Sequence, residues 1–317
     1  MAEQVLYGVP VRTGFELFAA ASAMAGFTEQ APLQLRELPA QQPLPTLPET
    51  FSLYHAHNRD LSLQSDRALA HSVAGQSWRM DVNDVVSFHW RGGDNLVHYQ
   101  CHALGTQERL VFWFVHIFLP LYLTLERGHD FLHAAAVEVA SRPVLFVAPS
   151  TGGKSTLADY FLQQGHPLLS DDKVATVMHG GQYYAVPSHP HHRPWREYEV
   201  LGDRVQNFAT RARPIHAVYL LEQGEPDAEI AITEVTGFRK FEELIPNYLY
   251  SFRFLQEQRM RWLAQLADSI PVYRVHRPWN LERMDAVYRA LRDHAAGVGE
   301  GCASGPLRGQ TGSSGPE

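Results

Sequence analysis

Ala148-Pro149-Ser150-Thr151-Gly152-Gly153-Lys154-Ser155 is the stretch on which the reading of this 317-residue chain turns. It fits the phosphate-loop (P-loop) pattern G-x-x-x-x-G-K-[ST], with alanine at the first glycine position. Gly152 and Gly153 let the backbone turn tightly, so successive N–H groups converge on one centre and cradle phosphate oxygens. Lys154 is spaced to reach the β- and γ-phosphates of a nucleotide, and the Ser155 hydroxyl to bind magnesium. The flanks suit the motif. Val144–Val147 is a short apolar strand. Ser155–Gln164 carries Leu157, Phe161 and Leu162 with helical character, and Gly165 ends it. The start of that helix contributes the positive end of its dipole. The expected cofactors are ATP and Mg2+, held by Ala148, Pro149, Ser150, Thr151, Gly152, Gly153, Lys154, Ser155 and Thr156.

Pro167–Ser170 is strand-like and runs directly into Asp171-Asp172. Strand, glycine-rich loop, helix and strand in succession form an α/β signature. Two adjacent carboxylates repel each other and need a cation or donors in the same place. In a P-loop protein the neighbouring strand often ends in an acid that handles magnesium. Aspartate is also favoured in turns and at helix N-caps. Upstream, His133 lies in the apolar stretch Phe131-Leu132-His133-Ala134 and opens the strand-like run His133–Ala140. Its position alone reads more readily as a core residue than as a functional one.

Outward from this centre, Val85–Trp90 alternates as a strand, Arg91–Asp94 reads as a turn and Leu96–Ala103 as a returning strand. Val111–Leu125 is apolar but 15 residues long, contains His116 and Pro120, and is closed by Glu126 and Arg127. A membrane-spanning helix needs about 20 residues, so this segment reads as a buried connecting helix. Gly180-Gly181 joins the strands of a hairpin, Val174–Met178 and Gln182–Val186. Strands are expected at Ile215–Leu221, Ile230–Val235 and Val272–His276, and helices at Phe241–Tyr250, Phe254–Ala267 and Leu281–His294. The chain then divides into a strand-rich N-terminal region over residues 1–125, a P-loop domain over 126–296 and a Gly/Ser-rich disordered tail over 297–317.

Apolar residues make up 45% of the chain and charged residues 19%, the balance of a protein that can bury a core. The net charge of −7, without a basic run, argues against nucleic acid as a partner. Cys101 and Cys302 form neither a disulfide framework nor a zinc pattern, and the first residues do not resemble a signal peptide. The expectation is a cytoplasmic protein that does not enter a membrane. Nothing in the sequence excludes a homo-oligomer.

Three segments now combine. Leu132-His133-Ala134-Ala135-Ala136-Val137, the loop, and Gln164-Gly165-His166-Pro167-Leu168-Leu169-Ser170-Asp171-Asp172 together resemble the HPr kinase/phosphorylase catalytic domain. More closely, they resemble the HPr-kinase-related serine kinases, which pair LHAxxV with GPSGxGKST and rGxxLLSDD. The resemblance spans about residues 120–295 and is strong over 131–174. Tyr7–Thr13 is loosely similar to the start of related N-terminal regions. The resemblance implies a mixed sheet with flanking helices, Mg-ATP as phosphate donor, and a serine hydroxyl of a protein or peptide as acceptor. It implies that Asp172 takes the proton of the attacking hydroxyl, beside Lys154. It also implies that Asp171 supports magnesium with Ser155 or orients its neighbour, and that His133 lines the site and assists charge handling. Which aspartate is the base stays open.

The family's glycine-rich ExRGLG motif is absent, so neither the reverse phosphorylase reaction nor HPr as substrate is expected. In its place Val186–Trp195 resembles a PSxPxxRLW stretch, which makes Arg193 a candidate phosphate or substrate contact. His189, His191 and His192 in that stretch match no standard zinc spacing. The rival readings are a small-molecule kinase on the same fold and an ATP-binding regulatory protein without phosphotransfer. A transporter-type ATPase is disfavoured, because the chain lacks an LSGGQ-like signature and a strand ending in Asp-Glu.

Overall fold

Alternation in the N-terminal strands sends one set of side chains inward, and in Ser77–Val82 that set is Trp78, Met80 and Val82. Eight strands between Ala2 and Cys101 join into one sheet, with Ala2–Leu6 at one edge and Glu49–Ala56 at the other. Trp78 faces Trp90 across a strand pair, their rings parallel and 5.5 Å apart. This computed structural model describes residues 2–18, 31–39, 41–67, 73–194, 197–250 and 252–298, without the side chains of 51–56. The expected tail lies, from residue 299 on, outside the described residues, as does Trp195.

The inner face of the sheet rests on the helix Gln107–Glu126, with Phe88 stacked 4.3 Å from Phe118. Thr106 caps this helix by accepting from the Arg109 amide. The middle turn, Phe114–Phe118, widens to a π-helix. Pro120 has no N–H and its ring would crowd the carbonyl four residues back, that of His116; a wider turn relieves this. Among the described residues this is the one helix long and apolar enough to cross a membrane, and 83% of its apolar window is buried inside the protein. One hydrophobic cluster runs from the N-terminal strands through this helix to Leu145, Val147 and Val218.

The rest of the chain is mixed α/β. A six-stranded sheet runs in the order 168–170, 134–139, 142–147, 217–224, 272–278, 231–235. Arg142–Val147, Ala217–Gly224 and Val272–Pro278 are parallel. Open sheets with parallel strands bind ligands beyond the strands' carboxyl ends, and residues 148–153 leave the sheet at that end. The following helix, Lys154–Gln163, buries Leu157, Ala158 and Phe161 against Phe146 and the C-terminal helix Met284–Gly297. Full burial of Leu157 and Phe161 contributes about 2–3 kcal/mol each. A four-stranded sheet runs in the order 213–214, 182–186, 174–179, 130–132.

Three local expectations are corrected. His133 is not within a strand: it lies between Asp130–Leu132 and Ala134–Val139, where the chain passes from one sheet to the other. The helix expected over 241–250 is Phe238–Leu244 and gives way to a 3-10 turn at Ile245–Asn247, because Pro246 cannot donate to a helical carbonyl. The segment after it lies along the 130–132 strand, with the Leu249 amide donating to Phe131 O and the His133 amide to Asn247 O. The last helix opens with a 3-10 turn, Leu281–Arg283.

Asp130 is buried beneath that segment and accepts from the Tyr248 hydroxyl at 3.2 Å. Burial pushes its carboxyl up to about 7, against the Tyr248 hydrogen bond. The folded protein therefore holds this proton more tightly than the unfolded chain, and stability falls as pH rises from about 4 through 7. A displacement of this size is on the order of 4 kcal/mol. Asp130→Asn should gain melting temperature relative to wild type as pH rises over that interval. A pH-independent difference between the two melting curves would contradict this.

Candidate functional site

The loop after Arg142–Val147 turns back on itself through a hydrogen bond from the Gly152 amide to Pro149 O at 3.0 Å. Thr151 (φ +64) and Gly153 (φ +78) both take the left-handed region, while Gly152 does not. Glycine is needed at 153 on a second count, since a Cβ there would lie 2.5 Å from Arg277 Nη2 and 3.1 Å from the Trp279 ring. At Gly152 a Cβ would meet Ala148 Cβ at 2.7 Å. Arg277, buried at the carboxyl end of the third parallel strand, donates to Gly152 O at 2.8 Å and lies over Trp279. It braces the loop from behind. No side chain caps the helix Lys154–Gln163, so its first-turn amides point past Gly153 without a capping acceptor. Lys154 is 5% exposed and its Nζ donates to Ala148 O at 2.6 Å and to Pro149 O at 3.2 Å.

Asp171 and Asp172 occupy the second passage between the two sheets, beside His133 in the first. The register requires this. Ala136 pairs with Ser170 on one side of the passage and Leu132 with Val174 on the other. His133 Nδ1 lies 3.1 Å from Asp172 O and 3.4 Å from Asp172 Oδ1. The Lys173 amide donates to Asp171 O at 2.8 Å while Asp172 has φ +66. This i to i+2 bond across a left-handed residue is a strained γ-turn, and it turns the two carboxylates to different partners.

Asp171 is buried. Its Oδ1 receives the Ser155 hydroxyl at 3.4 Å, and its Oδ2 receives the Arg193 amide at 2.8 Å and lies 3.0 Å from His192 Nδ1. Burial alone would push this carboxyl up, but the His192 hydrogen bond and charge and the Arg193 amide hold it below the usual range. Conversely, burial would push His192 down, but the hydrogen bond and charge of Asp171, with Asp159, raise it, so the two groups favour each other's charged form. For Asp172, burial would push the carboxyl up, but it is held well below the usual range, with Lys173 and His133 beside it. Lys173 Nζ and His116 Nε2 lie 3.5 and 3.4 Å from its Oδ2. Burial drives His116 itself down to about 3, so it is neutral. Arg193 Nη1 approaches His116 Nε2 at 2.9 Å, and a guanidinium can only donate, so Nε2 accepts and the ring proton sits on Nδ1. Of the named partners, Lys173 then supplies the cation beside Asp172 Oδ2.

Ser155, Asp171, Asp172 and Arg193 line one small chamber of about 60 Å³ with His57. His133, Ala148, Pro149, Ser150 and Gly152 line a larger cleft of about 1000 Å³, which continues to Glu222 and His276. Asp172, in the chamber, touches His133, in the cleft. Thr151 and Thr156 are exposed and line neither cavity. The structure thus brings the glycine loop, the acid pair, His133 and Arg193 together. Sequence reasoning did not single out His57, Lys173, Arg277 or His116 as site residues. A histidine alone in the apolar run 111–125 was the available signal for His116. The other three carry none, because their roles depend on which strands become neighbours.

No protein-family model matches this chain, and no curated protein matches it. Among solved structures, the Hpr(Ser) kinase/phosphatase from Coxiella burnetii aligns with 52% of this chain and 96% of its own length, at 13% identity and a TM-score of 0.33. A likeness at that level carries no weight for the chemistry, which rests on the residues described above.

Proposed function

We propose that this protein is a Mg-ATP-dependent kinase that transfers the γ-phosphate to a hydroxyl group. One observation carries the reading: Ser155, in the first turn after the glycine loop, lies 3.4 Å from Asp171, and Asp172 lines the same chamber. The residues present fit the groups this chemistry requires. An uncapped helix start, a left-handed loop and a buried positive surplus suit an anion. That surplus is Lys154, Lys173 and Arg193 against the two carboxylates, with His192 beside Asp171. Magnesium bound through phosphates needs only one or two protein oxygens, and Ser155 Oγ and Asp171 Oδ1 are adjacent. Among the described residues no group of three or more His, Cys, Asp and Glu side chains could hold a metal by itself.

The loop amides, Lys154 and the helix start would bind the triphosphate, and Ser155 and Asp171 the metal. The metal would supply charge neutralisation on the phosphate oxygens. Asp172 would accept the acceptor's hydroxyl proton as the acceptor oxygen bonds to the γ-phosphorus and the bond to the ADP oxygen breaks. His133 would orient the Asp172 carboxylate, and the Arg193 guanidinium would face the transferring group. The choice of a serine on a protein or peptide as acceptor rests on the motif resemblance. A reducing cytoplasm suits the free thiol of Cys101.

The test is calorimetry with Mg-ATP, followed by γ-labelled ATP with serine-containing peptides, free serine and hydroxylated metabolites. Saturable Mg-ATP binding and label on peptide serine are expected. Label confined to a metabolite would reassign the acceptor to a small molecule. Tight binding with no transfer to any hydroxyl would leave a nucleotide-binding regulator.

A further inference from the structure

Glu199 is an acid driven inward from an exposed segment. Its neighbours Tyr198 and Val200 are 63% and 44% exposed, yet its own side chain is 8% exposed. Its φ of +56 lies in the left-handed region, which a non-glycine residue adopts at a cost unless contacts hold it there. The contacts all come from the N-terminal half. Trp113 Nε1 donates to Glu199 Oε1 at 2.8 Å, Arg109 Nε lies 3.1 Å from Oε2, and Arg59 Nε donates to Oε1 at 3.3 Å. Three donors converging on one shielded carboxylate form a charge-assisted anchor.

That anchor lies at one end of the segment whose other end is Arg193. The Glu197 carbonyl, two residues before Glu199, accepts from Arg193 Nη2 at 2.9 Å. Arg193 Nη1 donates to His116, and the guanidinium lies 5.2 Å over the Phe112 ring. One face of the helix Gln107–Glu126, presenting Phe112, Trp113 and His116, therefore grips both ends: Arg193 directly and Glu199 through Trp113. The planar guanidinium is fixed in position and tilt by three partners, the Glu197 carbonyl and the His116 and Phe112 side chains of the helix, and Arg193 lines the chamber with Asp172.

We propose that Glu199 is a positioning residue for phosphate transfer. It ties the Arg193 segment to Arg59, Arg109 and Trp113, so that the N-terminal half forms a working wall of the site. The proposal rests on the kinase reading above. A misplacement of about 1 Å in such a group costs on the order of a hundredfold in rate.

The test compares wild type, Glu199→Gln, Arg193→Lys and the double variant, all in the full chain. Glu199→Gln keeps the shape of the side chain and removes its charge. The expected result is a fall in kcat of roughly a hundredfold, with Mg-ATP affinity within about twofold of wild type. Trypsin should cut within residues 193–199 faster in this variant. The double variant should be no slower than Arg193→Lys alone, because the loss at Glu199 acts through Arg193. Glu199→Ala, which also removes the acceptor for Trp113, should repeat the split more strongly. Losses that multiply in the double variant, or unchanged kcat and cleavage in Glu199→Gln, would overturn the positioning role while leaving the kinase reading intact. A wild-type protein that turns over no Mg-ATP would overturn both.

Discussion

Asp172→Asn should bind Mg-ATP within a few-fold of wild type and transfer phosphate 10²- to 10⁴-fold more slowly, the range that a positioned general base contributes. The substitution isolates the proton acceptor. Asparagine tolerates the left-handed backbone, so the strained turn at φ +66 survives. The amide is nearly isosteric with the carboxylate and still meets His133 and Lys173, but it cannot take up the hydroxyl proton. Lys173 loses its partner 3.5 Å away, which makes some loss of melting temperature an expected side effect. Single-turnover transfer from γ-labelled ATP, beside calorimetric affinity, separates the two effects. Transfer within tenfold of wild type would assign the base elsewhere, and Asp171 is the neighbour to test. Asp171 is the less suited of the pair, because its side chain is 4% exposed against 24% for Asp172, and the Arg193 amide holds its Oδ2 at 2.8 Å.

Lys154→Ala is expected to weaken Mg-ATP binding by about tenfold or more and to lower transfer by a further 10²- to 10³-fold, the scale of one preorganised donor. The ammonium is 5% exposed and sits across the loop on the Ala148 and Pro149 carbonyls. It is thus held within the loop and needs only to exchange carbonyl oxygens for phosphate oxygens. Lys154→Arg should not restore the loss, because a planar guanidinium cannot replace a compact ammonium in so enclosed a place. Binding isotherms and steady-state rates for the two variants check this. An alanine variant with normal affinity and rate would remove the loop from the mechanism.

The elements around the loop were legible because each obeys a local rule. Val144–Val147, the helix after Lys154 and the glycine stop at Gly165 follow from periodicity and backbone freedom within a few residues. The hairpin at Gly180-Gly181 did as well. His133 was harder. Read alone it is one histidine in an apolar stretch, and only the motif resemblance suggested a role. Its contact with Asp172 arises because two separate strand registers, Ala136 with Ser170 and Leu132 with Val174, bring two chain passages side by side. Arg193 was flagged from a short proline-rich resemblance, but its partners His116 and Phe112 lie far upstream in a segment that reads as pure core.

The sequence by itself determined the glycine loop, the acid pair after a strand and the α/β alternation around them, because tight turns, strands and helices are encoded by residues close together in the chain. The tertiary structure alone decided which distant groups complete the site. Lys173 beside Asp172, Arg277 behind Gly153, and the grip of the N-terminal helix on Arg193 and Glu199 depend on strand order and on burial. Those are properties of packing, and packing pairs residues by position in space, whatever their separation along the chain.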